Sequence, residues 1–353
     1  MSIEPGSTIG IIGGGQLGKM LAVAAAQLGY RCHIFEPGEA PCTADVSAEF
    51  TRAAYDDTEA LKRFADSVEV ATYEFENVPA ASLAVIESKL RPGVASLRIG
   101  QERGREKEFI ESTGAKVGSW LRVDSEEDAL EAERRIGTPV VLKTRRLGYD
   151  GKGQAWATSP GSVVEAWDSI GRQPAVAEAA VAFECEFSVV LARGVDGAIA
   201  TWDLPLNDHD NGILRRSTVP APEMVERHRE EAVRVATAIA EKLGHIGVLT
   251  VEFFATAGGP LVNEIAPRVH NSGHWTIEGA VTSQFEQHIR AICGLPLGST
   301  QRVGSKAVME NLLGDEIGRW RELVAEPATH VHDYGKGAAR PGRKMGHFTR
   351  ITP

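Results

Sequence analysis

Leu249 to His274, LTVEFFATAGGPLVNEIAPRVHNSGH, brings two carboxylates and a cationic, amide-rich loop into one short run. Gly247 to Ala255 alternates with period two, so Thr250, Glu252 and Phe254 share one side of a strand while Leu249, Val251 and Phe253 take the other. Gly258-Gly259-Pro260 reads as the turn and Leu261 to Ala266 as the returning arm. Folding back around Gly258 sets Glu252 opposite Glu264 on one face, with Cβ atoms roughly 5 Å apart. Like charges at that spacing repel. They make sense around a divalent cation, because Mg²⁺ takes one or two protein carboxylates and completes its octahedron with phosphate oxygens and water. The bland alternative is an edge hairpin with both acids in solvent. Asn263, Arg268 and the run His270-Asn271-Ser272-Gly273-His274 weigh against it, since they supply the donors and cations that hold anionic groups. The stretch predicts a nucleotide triphosphate site.

The rest of the chain has to accommodate such a site. With 353 residues there is material for two or three domains with real cores. A net charge of -10 argues against a general nucleic-acid or membrane-surface binder, so phosphate recognition has to come from local clusters. Lys143-Thr144-Arg145-Arg146 is one, and Lys336, Arg340, Arg343, Lys344 and Arg350 form another. Cys32, Cys42, Cys185 and Cys293 show no Cys-x-x-Cys pair, which fits reduced thiols in a cytoplasmic protein without structural zinc. The start, MSIEPGS, has neither a basic nor an apolar leader region, and no apolar run approaches a bilayer's thickness.

From the start, Thr8 to Ile12 reads as a buried strand, Gly13 to Gly18 as a glycine turn, Lys19 to Leu28 as a helix stopped by Gly29, and Arg31 to Phe35 as a second strand. Gly13, Gly15 and Gly18 satisfy G-x-G-x-x-G, and Glu36 follows at the distance of a dinucleotide fingerprint. The physics requires only that an anion can approach a helix N-terminus there, and a phosphate ester would serve as well as a dinucleotide. Thr58 to Ser67 reads as a helix and Val68 to Thr72 as a strand, ending in Tyr73-Glu74-Phe75-Glu76. Residues just past the C-terminal ends of parallel strands face the ligand crevice, which makes Glu74 and Glu76 candidates for substrate contact. Ser96 to Gly114 reads as a charged helix, with Arg103, Arg105, Glu106 and Lys107 near its start. Lys143 ends the strand Pro139 to Lys143, and Gly148 to Gln154 is a glycine loop suited to a mobile flap. Leu206 to Gly212 reads as a polar loop, Met224 to Leu243 as one amphipathic helix, and Thr282 to Cys293 as another. Strand-like runs at Ala307 to Asn311 and Thr329 to Val331 predict a small β-rich tail.

A strand lysine, a glycine flap, an acidic strand at Phe183 to Ser188 and a two-glutamate hairpin, in this order, resemble the ATP-grasp superfamily. Within it, GGGQLG at the start, GYDGKGQ at 148–154, NEIAPRVHNSGHWT at 263–276, SQFEQHIRAICGLPLG at 283–298 and RPGRKMGH at 340–347 are similar to the N5-carboxyaminoimidazole ribonucleotide synthetase family. The resemblance implies an α/β and α+β ATP-grasp fold. Residues 1–100 would form a Rossmann-like domain, 101–298 the two ATP-grasp lobes and 299–353 the tail domain. It also implies ATP- and bicarbonate-dependent carboxylation of aminoimidazole ribonucleotide through carboxyphosphate, in a cytoplasmic homodimer of purine biosynthesis.

By that resemblance Glu252 and Glu264 hold Mg²⁺ on the phosphates, while Arg103, Lys143 and the flap Gly148, Tyr149, Asp150, Gly151, Lys152, Gly153 and Gln154 hold the triphosphate. Glu178, Ala179, Ala180, Val181 and Glu186 would line the adenosine pocket, with Glu186 on the ribose; His209 and Asn263 also fall at ATP-contact positions. Tyr149, Lys152, Arg268, His270, Asn271 and Ser272 would serve the carboxyphosphate and the amine. For the ribonucleotide's phosphate the candidates are the Gly15-Gln16-Leu17 turn with Lys336 and Arg343, and either Glu74 or Glu76 orients the amine. Two departures stand out: Lys152 sits where arginine is also seen, keeping the charge without the bidentate fork, and relatives usually run on beyond Pro353. A biotin carboxylase or formate-dependent transformylase would share the lysine, flap and glutamates. A nicotinamide-dependent oxidoreductase would explain Gly13 to Glu36 but leave the hairpin acids unexplained, and a non-catalytic ATP-binding subunit would need the metal pair or flap to be lost.

Overall fold

The structure, a computed structural model, describes residues 2–148 and 152–353. Tyr149, Asp150 and Gly151, at the centre of the expected flap, lie outside the described residues. Among those described, the strands form three sheets, and no helix is long and apolar enough to cross a membrane.

The first sheet is parallel, in the order Glu49–Thr51, Arg31–Phe35, Thr8–Ile12, Val70–Tyr73. Its central strand is apolar in sequence because both faces are covered, with Ile9, Ile11 and Ile12 fully buried. The helix after the glycine turn spans Gln16–Gln27, three residues earlier than expected, with Gly15 at its N-cap. It packs beside Gln284–Cys293, sharing a core in which Leu17 and Leu21 meet Phe285, Ile289 and Ile292.

The expected helix from Ser96 to Gly114 is two helices, Val94–Gly100 and Arg103–Glu111. Glu102 separates them: its carboxylate accepts the amides of Gly104 (3.2 Å) and Arg105 (3.0 Å), capping the second helix. A four-stranded antiparallel sheet follows, ordered Trp120–Val123, Ala175–Ala179, Val140–Thr144, Gln154–Ala157, with the helices Glu126–Ile136 and Val163–Ser169 packed on it.

The third sheet has nine strands. Along it run Gly259–Ala266, Gly247–Thr256, Cys185–Arg193, Leu206–Asp210, Ile213–Val219, Lys306–Leu313, Lys344–Thr352 and Thr329–Asp333, with Ile199–Thr201 beside Cys185–Arg193. The tail strands thus continue the central sheet. Leu206 to Gly212 is not a loop but a strand entering a hairpin, whose turn residues Asn211 (φ 50°) and Gly212 (φ 77°) both take left-handed backbone. That is the requirement of a two-residue hairpin turn, and Asn-Gly meets it at low cost. Met224 to Leu243 is likewise divided, into Glu223–Glu226 and Arg229–Leu243. The step at Arg227-His228 lays the His228 ring over Phe187, centroids 6.4 Å apart, while Val225 enters the core shared with Ala232, Val235, Ala236 and Ile239. Gly244, with φ 58°, stops the longer helix as expected.

The opening hairpin turns one step earlier than expected, at Ala257-Gly258, and Gly259 and Pro260 already pair with Thr256 and Ala255. Continued regularly, that turn would set Glu252 opposite Asn263. A β-bulge beside Glu252 inserts one residue and restores the pairing of Glu252 with Glu264. Its consequence is visible in the burial. Val262 and Ile265, three apart, both enter one core, while Asn263 and Glu264 both face the cleft.

Candidate active site

The three sheets meet around a cleft of about 1050 Å³. Its floor is the face of the nine-stranded sheet that carries Glu186, His209, Glu252, Phe254 and Glu264. The small lobe contributes Lys143, Gly148, Lys152, Gln154, Glu178, Ala179, Ala180 and Val181; the Rossmann-like sheet contributes Gly15, Gln16, Leu17, Glu74 and Glu76. Arg103, Asn263, Arg268, His270, Asn271, Lys336 and Arg343 complete the expected residues on its wall. Gly153 and Ser272 do not line it.

Most of the described charges in the cleft have a partner. Glu178, on a buried strand, takes Lys143 at 3.2 Å and Lys107 at 3.1 Å. Burial pulls its carboxyl up, but Lys143, Lys107 and Arg103 outweigh that and hold it down at about 2. Burial dominates at Lys143, whose ammonium is pushed below its ordinary value even though Glu178 opposes the shift. Arg103 holds Glu264 at 3.1 Å and reaches the Gly148 carbonyl at 3.4 Å. Glu252 accepts from His270 Nε2 at 3.0 Å, and His209 lies 3.1 Å from Glu186. Glu252 is buried, yet His270 and His209 keep its carboxyl well below the usual range. Arg268 grips Glu76 bidentately, with both bonds at 3.0 Å.

Ser272 works from behind. It is fully buried, 2.8 Å from His270 Nδ1 and 2.7 Å from Ser188. Asn207 bonds Ser188 at 3.1 Å and accepts from Ser217 at 2.8 Å. A buried polar chain therefore crosses three strands and fixes the His270 ring against Glu252. Asn271 lines the cleft with both amide atoms buried and without a hydrogen-bond partner among the described residues.

The glycine turn is used differently from a dinucleotide site. Glu74 sits against it and accepts the amides of Gly15 (2.8 Å) and Gly18 (3.3 Å). A Cβ at Gly13 or Gly15 would come within 2.7 or 2.8 Å of that side chain, so the glycines make room for a carboxylate. Burial pushes the Glu74 carboxyl up, against those two amides and Arg268. Glu36, the expected ribose acid of a dinucleotide site, is occupied by the Gly14 amide (2.9 Å), the Gly38 amide (3.0 Å) and the Tyr55 hydroxyl. Lys336 and Arg343 border both the main cleft and a smaller cavity of about 260 Å³ over Gly14 and Gly15. Burial and the neighbouring Arg343 push Lys336 down to about 8.

Residues 6–101 match the ribonucleotide synthetase preATP-grasp domain, 108–285 the ATP-grasp domain, and 307–353 the phosphoribosylaminoimidazole carboxylase C-terminal domain. The N5-carboxyaminoimidazole ribonucleotide synthase of Brucella melitensis biotype 1 is 48% identical over 100% of this chain and 98% of its own. This chain belongs to the N5-carboxyaminoimidazole ribonucleotide synthase family. Two solved members of the family superpose closely. The Staphylococcus aureus enzyme complexed with ADP has a TM-score of 0.94 at 38% identity, covering 99% of this chain and 94% of that one. The Aspergillus clavatus enzyme in complex with ADP and 5-aminoimidazole ribonucleotide has a TM-score of 0.92 at 26% identity, with the same coverage.

Against the family's expected residues, the sequence reading missed four that the cleft depends on. Lys107 neutralises Glu178 from a buried position, and Glu106, also buried, accepts the Ile265 amide at 2.6 Å. Burial and the Glu264 charge push Glu106 up to about 8. Both residues lay in a run read as a charged helix surface, where nothing local distinguishes a buried acid from a solvated one. Ser188 and Asn207 were missed because small polar residues on a strand carry no mark of the chain they join. The Asn211-Gly212 dipeptide could have revealed the strand that holds Asn207 and His209.

Proposed function

We infer that this chain carries out the ATP-dependent carboxylation of 5-aminoimidazole ribonucleotide to N5-carboxyaminoimidazole ribonucleotide, a step of purine biosynthesis. The full-length likeness to the family supports this, and so does the binding of ADP and the ribonucleotide named for the Aspergillus relative. The observation that carries the mechanism is the pairing of Glu252 with Glu264 at a bulge. It turns two carboxylates toward one cleft, whose walls also carry Arg103, Lys143 and Arg268.

A hard divalent cation fits that carboxylate pair, and Glu252 and Glu264 would hold Mg²⁺ with phosphate oxygens. When bound, it supplies charge neutralisation for phosphoryl transfer. Arg103 and Lys143 then hold the triphosphate, with Gly148, Lys152 and Gln154 lining the cleft beside it. Glu178 to Val181, Glu186, His209 and Asn263 receive the adenosine and ATP contacts.

Bicarbonate is the acceptor of the γ-phosphoryl group, and carboxyphosphate is the product of that transfer. Asn271, whose amide has no hydrogen-bond partner among the described residues, and Arg268 and His270 hold the anion. Exclusion of water by the closed cleft protects this labile species until the amine attacks the carboxyl carbon. Glu74 and Glu76 are the candidate acids beside the amine, the family resemblance assigns Tyr149 and Lys152 to it as well, and Ser272 acts through His270. The ribonucleotide's phosphate goes to Lys336 and Arg343 beside the Gly15-Gln16-Leu17 turn, whose Gly15 amide is shared with Glu74. The family resemblance supports a homodimer in the cytoplasm, and sedimentation equilibrium reads the assembly directly.

The test is ADP formation that requires bicarbonate and is stimulated by aminoimidazole ribonucleotide. Absence of stimulation, with other acceptors working, overturns the substrate assignment. Glu264→Gln lowers turnover at least about 100-fold with folding unchanged, because a transition-state ligand is lost. Near-normal turnover refutes the metal role.

A further inference from the structure

We propose that Glu106 is a positioning residue that locks the bulged register of the hairpin and so aims Glu264 into the cleft. The inference rests on the reading of Glu264 as a metal ligand and adds what holds it there. Gly259–Ala266 lies at the edge of the nine-stranded sheet, so the amides on its outer side have no neighbouring strand of that sheet. Two of them are satisfied from elsewhere: Val262 N–H donates to the Lys116 carbonyl at 2.9 Å, and Ile265 N–H to Glu106 at 2.6 Å.

These two amides are three residues apart. In a regular strand the outward amides alternate, so the one after Val262 would belong to Glu264. The bulge shifts it to Ile265. Glu106 therefore meets an amide that points outward only in the bulged register. A slip to the regular register would withdraw that amide, set Asn263 opposite Glu252, and turn Glu264 to the core face beside Val262. Bulged and regular pairings of an edge strand differ by few contacts, and a buried acceptor at one amide is the kind of contact that decides between them.

The same helix grips the other side of the residue. Glu106 lies in the first turns of Arg103–Glu111, whose first residue, Arg103, holds the Glu264 carboxylate at 3.1 Å. One helix end thus fixes Glu264 by its side chain and by the amide that follows it. Glu106 is only 3% exposed and cannot swing into solvent to release that amide.

The test separates reach from charge. Glu106→Gln keeps an acceptor at the same distance, whereas Glu106→Asp keeps the carboxylate but falls one methylene short. Two readouts are used: the Mg²⁺ concentration for half-maximal turnover at saturating ATP, and hydrogen exchange at the Ile265 amide, which needs no activity. E106D is expected to raise the Mg²⁺ requirement and speed the exchange about tenfold each, with the ribonucleotide KM unchanged, while E106Q stays within about twofold of the parent on both. Any pattern other than an impaired aspartate beside a sound glutamine overturns the proposal. E264Q is the control: if it leaves the Mg²⁺ requirement unchanged, the metal reading fails, while the exchange result still decides whether Glu106 holds the register.

Discussion

Lys336 offers a sharp pH signature. It borders the cleft beside Gly15 and Arg343, donates to the Lys344 carbonyl at 2.9 Å, and is pushed down to about 8 by burial, with Arg343 adding to the effect. On the proposed reading it meets the ribonucleotide's phosphate, a dianion that binds the ammonium and not the amine. A charge-assisted hydrogen bond contributes about 1.5–3 kcal/mol, so Lys336→Met lowers kcat/KM for the ribonucleotide roughly 10- to 150-fold at neutral pH. The sign of the pH effect follows from the depressed value. Below about 8 the free enzyme carries the ammonium and binds well; as pH rises through 8 that form is lost, and near pH 9 kcat/KM is about tenfold below its plateau. Lys336→Arg stays charged across this range and should show no such alkaline limb, and Lys336→Met should show none either, from a uniformly low level. Initial rates from pH 6.5 to 9.5, with ATP saturating, read all three. An alkaline limb that survives in the methionine variant refutes the assignment. So would a larger effect on the KM of ATP than on that of the ribonucleotide.

Three further outcomes follow from particular contacts. A Glu178 carboxyl held at about 2 instead of 4.5 contributes at most about 3 kcal/mol, and burial of Lys143 returns part of it. That contribution is present above pH 4.5 and lost as pH falls toward 2, so the gap in unfolding free energy between the parent and Glu178→Gln, read from urea curves, should narrow by about 1.4 kcal/mol between pH 7 and pH 3.5. Gly247 has φ 122°, and a Cβ there would lie 2.8 Å from His288; Gly247→Ala should cost about 1–3 kcal/mol in urea unfolding. Arg268→Lys cannot reproduce the bidentate grip on Glu76 and should lower kcat at least about tenfold, leaving the KM for ATP within twofold in initial-rate assays.

Some of this site could be read from the sequence because its chemistry coincides with a local pattern. Leu249, Val251 and Phe253 alternate with Thr250, Glu252 and Phe254, and the strand buries the first set in the core as period two requires. Glu74 follows a buried parallel strand and does reach the crevice. Other parts depend on contacts distant in sequence. No local pattern tells that the glycine turn admits Glu74, 59 residues away from Gly15, and not a pyrophosphate. The hairpin lies between these cases. Val262-Asn263-Glu264-Ile265 breaks the alternation in a way that only a bulge repairs, yet a turn placed one step late gave the same Glu252–Glu264 pairing without one. Glu106 and Lys107 look like any charged pair near a helix start, and their burial is decided by the sheet and lobe that close over them.

The pairing of charges also explains how two like carboxylates are tolerated before any cation arrives. Facing each other across the ladder, Glu252 and Glu264 would repel, but each is turned to its own partner, His270 at 3.0 Å and Arg103 at 3.1 Å. Neither partner is redundant in the proposed chemistry. On the proposed reading, a cation held by both carboxylates would leave Arg103 to face the triphosphate and His270 to face the carboxyphosphate, where donors to negative charge are needed. The His270 ring has a second anchor besides Glu252, because Ser272 holds Nδ1 at 2.8 Å and is itself anchored through Ser188 to the sheet. Glu264 keeps its aim for the corresponding reason, since the Ile265 amide that follows it is held by Glu106 at 2.6 Å. On the proposed reading the bulge sets the two halves of the reaction relative to each other: Asn263 and Glu264 face the nucleotide, and Arg268 to Asn271, in the segment that follows the strand's end at Ala266, face the acceptor. An inserted or deleted residue between Val262 and Arg268 would displace both sets at once.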